Sequence, residues 1–409
     1  MNSIDSLFVF VCALLVFLMI PGLAFFYGGL VRKKNILSVL MACFATLAVV
    51  SLQWVAFGYS LSFGNSELLK GFLGGLEWVG LLHVGDAPFN GYSSTIPHRL
   101  FMMFQLMFAA ITPALIIGAV AERMKFSAFL LFVLLWTTLV YDPIAHWVWS
   151  TEGWLRTLGS LDFAGGTVVH ISSGFSALAA ILILGKRKEA ETAHPSNLPL
   201  VAVGAGLLWL GWFGFNAGSA LGATAVAMQA FITTHISASA AALGYAGIEW
   251  FFQKKPTLLG TLTGAVAGLV AITPAAGFVG IGAAVFIGLL SSVISYVMII
   301  YVKRKLGYDD ALDVVGVHGM CGVWGALATG LFASKAINLA GADGLLAGNA
   351  SLLLIQGLSV LVSAGYAFGV SYLILKLIDR ILGLRVSPTD ELKGLDLSEH
   401  NESAYKFLD

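Results

Sequence analysis

Two histidines are the residues of this chain best placed to do chemistry. His170 lies inside an uncharged apolar run, 163–184, long enough to cross a bilayer as a helix. His318 lies in a second apolar run, and the two share a frame: Asp162 and Asp310 each stand eight residues ahead of their histidine, and Val169 and Val317 immediately before it. An imidazole donates from one ring nitrogen and accepts at the other, so two in contact form a minimal wire for a proton without a fixed charge. Ionisable side chains inside a membrane are costly and are by default functional. A structural hydrogen bond to a neighbouring carbonyl competes for one such histidine, less so for a matched pair.

Helices must carry these residues, and the composition provides for them. Hydrophobic residues are 58% of the chain and charged residues 11%, against roughly 25% charged in a soluble domain. The expected class is an all-α polytopic membrane protein. Net charge is zero with no long basic or acidic block, which excludes a nucleic-acid binder. Cys12, Cys43 and Cys321 all fall in apolar segments and are expected as small core residues, not disulfides or thiolate ligands. No spacing resembles a zinc site or a nucleophile with its base, so neither an enzyme nor a metal or cofactor is expected. The first apolar run lacks a basic lead and a cleavage pattern and is read as a retained helix.

A window of about twenty residues finds eleven apolar segments, beginning near Ser6, Ser38, Phe101, Phe126, Phe163, Leu198, Thr224, Leu258, Phe278, Val314 and Leu352. Basic residues (32–34, 123 and 125, 186–188, 254–255, 303–305) fall in alternate connections. The positive-inside rule then places the N-terminus outside and the C-terminus in the cytoplasm. Residues 1–383 form the expected membrane domain and 384–409 a polar cytoplasmic tail. In that topology segments one to five and six to ten form two inverted five-helix halves, followed by a final helix, with a path between the halves. The matched Asp–His frames sit in partner helices of the two halves, and Ala110-Ile-Thr-Pro-Ala114 recurs as Ala271-Ile-Thr-Pro-Ala275.

Moving a permanent cation through such a path costs on the order of tens of kcal/mol in the idealised limit. A small weak base avoids that cost by leaving its proton at the mouth. Phe104, Phe108, Trp149 and Phe215 lie at or just below expected outer ends, where a ring face attracts a cation by about 0.5 to 2 kcal/mol. The stretch 212–220 is read as a small-residue turn whose Ser219 offers a hydroxyl acceptor. Asp162 and Asp310 are expected to cap helix N-termini, Asp162 supporting the outer mouth. His146 and His235 are read as structural.

The motifs Phe104-Gln-Leu-Met-Phe108, Ala121-Glu-Arg123, Ala145-His-Trp-Val-Trp149, 162–170, 211–219 and Gly316-Val-His-Gly-Met-Cys-Gly322 together resemble a bacterial ammonium transporter of the Amt/Mep/Rh family, closest to its Amt branch. The resemblance covers essentially the whole chain. It implies eleven membrane helices, a homotrimer with one pore per subunit, and the plasma membrane. It makes Trp149, Ser219 and Phe108 the ammonium recognition site, Phe108 and Phe215 the rings that close the pore, and His170 and His318 the paired central imidazoles. Trp212 becomes a pore-lining aromatic, Asp162 the acid supporting the outer site, and the tail a target of a PII-type regulatory protein. His235 is outside the pattern. The expected activity is selective ammonium uptake; an ammonium sensor with little flux and a passive ammonia channel are the alternatives.

Overall fold

In hydrocarbon every backbone N–H and C=O has to be paired within its own segment, which leaves the helix as the solution for apolar runs of this length. The computed structural model describes residues 1–188, 190 and 194–405. Among these residues it is helical, with no strand and one isolated bridge between Met124 and Arg385.

Ten helical spans are long and apolar enough to cross a membrane. They are α1 (Ser3–Leu30), α2 (Lys33–Phe63), α3 (His98–Val120), α4 (Phe126–Leu158), α5 (Gly166–Leu184), α6 (Leu198–Gly218), α7 (Ala225–Gln253), α9 (Ile281–Leu306), α10 (Val315–Phe332) and α11 (Ala350–Leu382). Between α7 and α9 lies α8, Leu258–Ile272, only 15 residues long and followed by turns at 273–278. Two short helices, α12 (Pro388–Lys393) and α13 (Leu395–His400), follow.

Contacts in the first half recur in the second. α1 packs along α6, the first helix of each half; α2 packs on α3 and α4, as α7 packs on α8 and α9; the turn that opens α5 packs on α10, and the turn that opens α10 packs on α5. The final α11 covers α4, α5 and α10. The three cysteines are buried and unbridged.

The stretch 212–220 departs from expectation. It is not a turn: α6 stays helical through Gly218, and the link to α7 is 219–224. Its small residues serve packing instead. A Cβ on Gly214 would come within 2.7 Å of the Cys12 carbonyl oxygen, and one on Gly218 within 2.7 Å of the Cys12 Cβ. Glycine here lets α1 and α6 touch at the backbone, as membrane helices do without large side chains between them.

Candidate functional site

Each histidine opens its helix inside a π-helical turn, Gly166–Ile171 for His170 and Val315–Met320 for His318. Such turns widen the helix by one residue and recur at functional positions. Glycines bring the two turns together. A Cβ on Gly174 would lie 2.3 Å from the Gly319 Cα, and one on Gly322 would lie 3.1 Å from the His170 Cβ. With backbone against backbone, His170 Nδ1 and His318 Nδ1 stand 3.2 Å apart, within hydrogen-bond reach. One nitrogen donates and the other accepts, so the pair holds a single proton between them, and neither Nε2 atom takes part in that bond. His170 Nε2 has no partner among the described residues. The His170 ring stacks on Trp212 at 5.5 Å, and the Trp212 indole N–H donates to Thr273 Oγ1 at 2.8 Å, which fixes that ring.

On the mouth away from the basic loops, aromatic rings seal the path. Phe108 and Phe215 stack at 4.1 Å, and Phe215 lies 6.3 Å from the His170 ring. Trp149 meets Phe108 edge to face at 5.8 Å. Phe104 is buried, as Phe108 and Phe215 are, and meets Phe108 edge to face at 4.9 Å. The Trp149 indole N–H is spent on the Asp162 carbonyl at 3.0 Å, which leaves the ring face as what Trp149 offers a cation. Ser219 Oγ donates to the Phe215 carbonyl at 2.8 Å; its lone pairs stay free to accept an N–H.

Asp162 is the keystone of this mouth. Its carboxylate accepts the backbone N–H groups of Gly165, Gly166, Thr167 and Val168 at 2.8, 2.7, 2.8 and 3.2 Å. Four otherwise unpaired donors at the start of α5 thus converge on one side chain, where the positive end of the helix also favours it. Pro274, in the break after α8, backs the same turn: its carbonyl accepts from Phe163 N at 3.1 Å.

The opposite mouth is open and ionic. A cavity of about 850 Å³ runs between Lys186, Arg187, Lys303, Arg304, Asp309 and Asp313 and reaches His318. Around it Arg187 joins Asp309 at 2.8 Å and Glu122 at 2.9 Å, and Arg123 joins Asp309 at 3.3 Å. Burial alone would raise the Asp309 carboxyl, but the Arg187 hydrogen bonds and charge, with Arg123, hold it down to about 2. The tail docks beside this network. Glu391 of α12 accepts from Lys188 N at 2.6 Å and pairs with Arg385, while in α13 Leu395 N donates to Asn35 Oδ1 and Asp396 accepts from Ser38 N.

The structure therefore gathers His170, His318, Trp212, Phe215, Phe108 and Trp149 into one continuous line of contacts. His146 is buried elsewhere, its Nδ1 on the Ser62 carbonyl at 3.1 Å. His235 lies on an exposed face of α7, against Trp209 and Phe213. Thr273, Gly174 and Gly322 escaped the sequence reading. A signal was present for the glycines, since each follows its histidine by four residues in both halves.

Comparison with known proteins places this architecture. The Ammonium Transporter Family model matches residues 7–405. The ammonium transporter of Bacillus subtilis (strain 168) is 52% identical over 404 residues, covering 98% of each chain. Among solved structures, Saccharomyces cerevisiae Mep2 superposes with a TM-score of 0.89 at 37% identity, over 95% of this chain and 88% of that one. A structure described as a sensor Amt protein gives the same TM-score of 0.89 at 29% identity, over 97% and 98% of the two chains. With a family match over nearly its full length and a half-identical relative of the same extent, this multi-pass membrane protein belongs to the Ammonium Transporter Family, whose members are transporters and not enzymes.

Proposed function

We propose that the chain takes up ammonium selectively and electrogenically, by separating each ion into ammonia and a proton at the Trp149 mouth. Ammonium docks on the Trp149 and Phe108 faces with an N–H to Ser219, and loses its proton before entering the apolar path. Ammonia passes when the Phe108 and Phe215 rings turn aside, then moves by Trp212 along the two imidazoles. The proton is relayed separately. Arriving at His170 Nε2, it drives the shared proton from His170 Nδ1 to His318 Nδ1 and releases another from His318 Nε2 into the large cavity. Ammonia and proton recombine there. The observation that carries this reading is the 3.2 Å contact between the two Nδ1 atoms in a path otherwise lined mainly by aliphatic and aromatic side chains.

The same reading has eleven crossings, the N-terminus outside, and a homotrimer in the plasma membrane with one pore per subunit. Residues 1–383 form the membrane domain, and 384–409 a cytoplasmic tail through which a PII-type protein regulates flux. The alternation of basic loops supports the orientation, and the docking of α12 and α13 against the basic loops supports a regulatory tail. Current recording on proteoliposomes tests the mechanism. Ammonium should evoke a current that potassium does not, and His170→Ala should reduce it or make it unselective. A full, selective current in that variant removes the relay.

A second reading has a specific observation behind it, since one closely superposing structure is described as a sensor. As a sensor the chain would bind ammonium and signal through the tail with little flux. Tracer uptake by purified wild-type protein separates the two.

A further inference from the structure

A proton that reaches His170 Nε2 turns that ring into an imidazolium before His318 carries any charge, and nothing ionic waits there to meet it. The narrow cavity at the pair is lined by side chains such as Leu23, Ile111 and Val266, and by Trp212. Besides the two histidines its one titratable group is Tyr27, whose hydroxyl donates to the Leu115 carbonyl at 3.0 Å. No acidic or basic side chain among the described residues lines it, and an unpaired charge in such a setting is costly. What faces the imidazolium instead is a ring. Trp212 lies over His170 at 5.5 Å with only 21° between the planes, inside the roughly 6 Å over which an aromatic face attracts a cation, and indole is the strongest such face. Phe215 stands farther off, at 6.3 Å. His318 meets no ring but that of His170 among the described residues.

An indole free to swing would withdraw that face. The Trp212 N–H donates to Thr273 Oγ1 at 2.8 Å, and Thr273 donates in turn to the Leu269 carbonyl at 2.7 Å, with both side chains buried. Thr273 stands on fixed ground. It caps the end of α8, and Pro274 beside it is wedged between the halves: a Cβ on Gly166 would come within 2.5 Å of Pro274, and one on Gly325 of α10 within 2.9 Å. Gly166 belongs to the π-helical turn that carries His170, so hydroxyl, indole and imidazole share one frame. Thr112, its counterpart in the repeated pentapeptide, donates to the Phe108 carbonyl and receives no indole. We infer that Thr273 is a positioning residue of the relay: by pinning the Trp212 indole nearly parallel to His170, it supplies the ring face on which the transient imidazolium rests. The inference rests on the relay reading above.

Current recording in proteoliposomes and crystallography together test it. Thr273→Val keeps the shape and removes the hydroxyl, so maximal ammonium current should fall about tenfold, the scale of one desolvated cation–ring contact. The ammonium concentration giving half-maximal current, set at the Trp149 mouth, should not change, and Thr273→Ser should restore the current. In a Trp212→Phe background, which has no N–H to pin, Thr273→Val should have no further effect. Crystals of Thr273→Val should show the indole turned away from its stack on His170. Thr273→Ala substitutes if the valine variant fails to fold. Full current in a folded hydroxyl-free variant, or an equal loss in the Trp212→Phe background, overturns the positioning role, and so does an indole that keeps its place. Wild-type protein without ammonium current would instead fail the relay reading, since the placement of the indole is read without transport.

Discussion

The Asp162–His170 and Asp310–His318 segments have the same spacing, the same π-helical turn and the same glycine one turn beyond the histidine, yet they use their aspartates differently. Asp162 is saturated by four backbone N–H groups, and its own carbonyl steers Trp149. Asp310 holds one backbone N–H, leaves an oxygen unpaired, and lends its carbonyl to a lysine. The lesson is that a repeated half conserves what the centre needs and frees the two ends to differ. A rigid carboxylate suits a mouth that must present fixed aromatic faces; an incompletely paired one suits a mouth where charges exchange with water.

The comparison is broken most severely at the shared centre. Gly174→Leu should abolish ammonium current and lower the yield of folded protein, because even a Cβ would lie 2.3 Å from the Gly319 Cα and backbone cannot rotate away. Size-exclusion profiles with current recording check this; a folded, fully active variant would show that the helices need not touch.

Next in size come the aspartates. Asp162→Asn leaves an amide nitrogen where a carboxylate oxygen took two N–H donors, a loss of about 2 to 6 kcal/mol at roughly 1 to 3 per buried orphan. Flux should drop more than tenfold along with thermal stability. Asp310→Asn, disturbing one such bond, should change stability by about 1 kcal/mol. Equal losses in the two variants would erase the distinction between the mouths.

Smaller still is an acid effect confined to the basic mouth. Because the Asp309 pKa is depressed, its contribution is complete above the ordinary aspartate range and is lost as pH falls toward about 2, on the order of 2 kcal/mol in all. Melting temperatures of wild type should stay level at neutral pH and decline below about pH 4, more steeply than those of Asp309→Asn. Parallel profiles would remove Asp309 from the network that fastens this end.

Much of this organisation was legible in the residues. The apolar runs gave the helices because their length matches a bilayer, and the two capping aspartates were readable because a helix start leaves N–H groups that a nearby carboxylate satisfies. The stretch 212–218 misled because glycines that permit close helix packing resemble glycines that permit a turn, and only the neighbouring α1 distinguishes them. The repeated Ala-Ile-Thr-Pro-Ala falls in the third and eighth segments, as read, but in different local settings. Pro113 sits within continuous α3, whereas Thr273 and Pro274 lie where α8 ends, with their polar atoms engaged by Trp212 and Phe163. Identical pentapeptides met different neighbours. The π-helical turns left no local trace, since the extra residue in each is as apolar as its surroundings.

The bond between the histidines joins two chemically identical atoms, Nδ1 to Nδ1, and a bond of that kind has no built-in arrow. In the proposed relay the bond sets no direction of its own for the proton, so it cannot by itself act as a rectifier. Any preference for import has to come from the gradients across the bilayer or from the unlike mouths, and reversing the driving force on a protein stripped of those differences would run the same wire backwards.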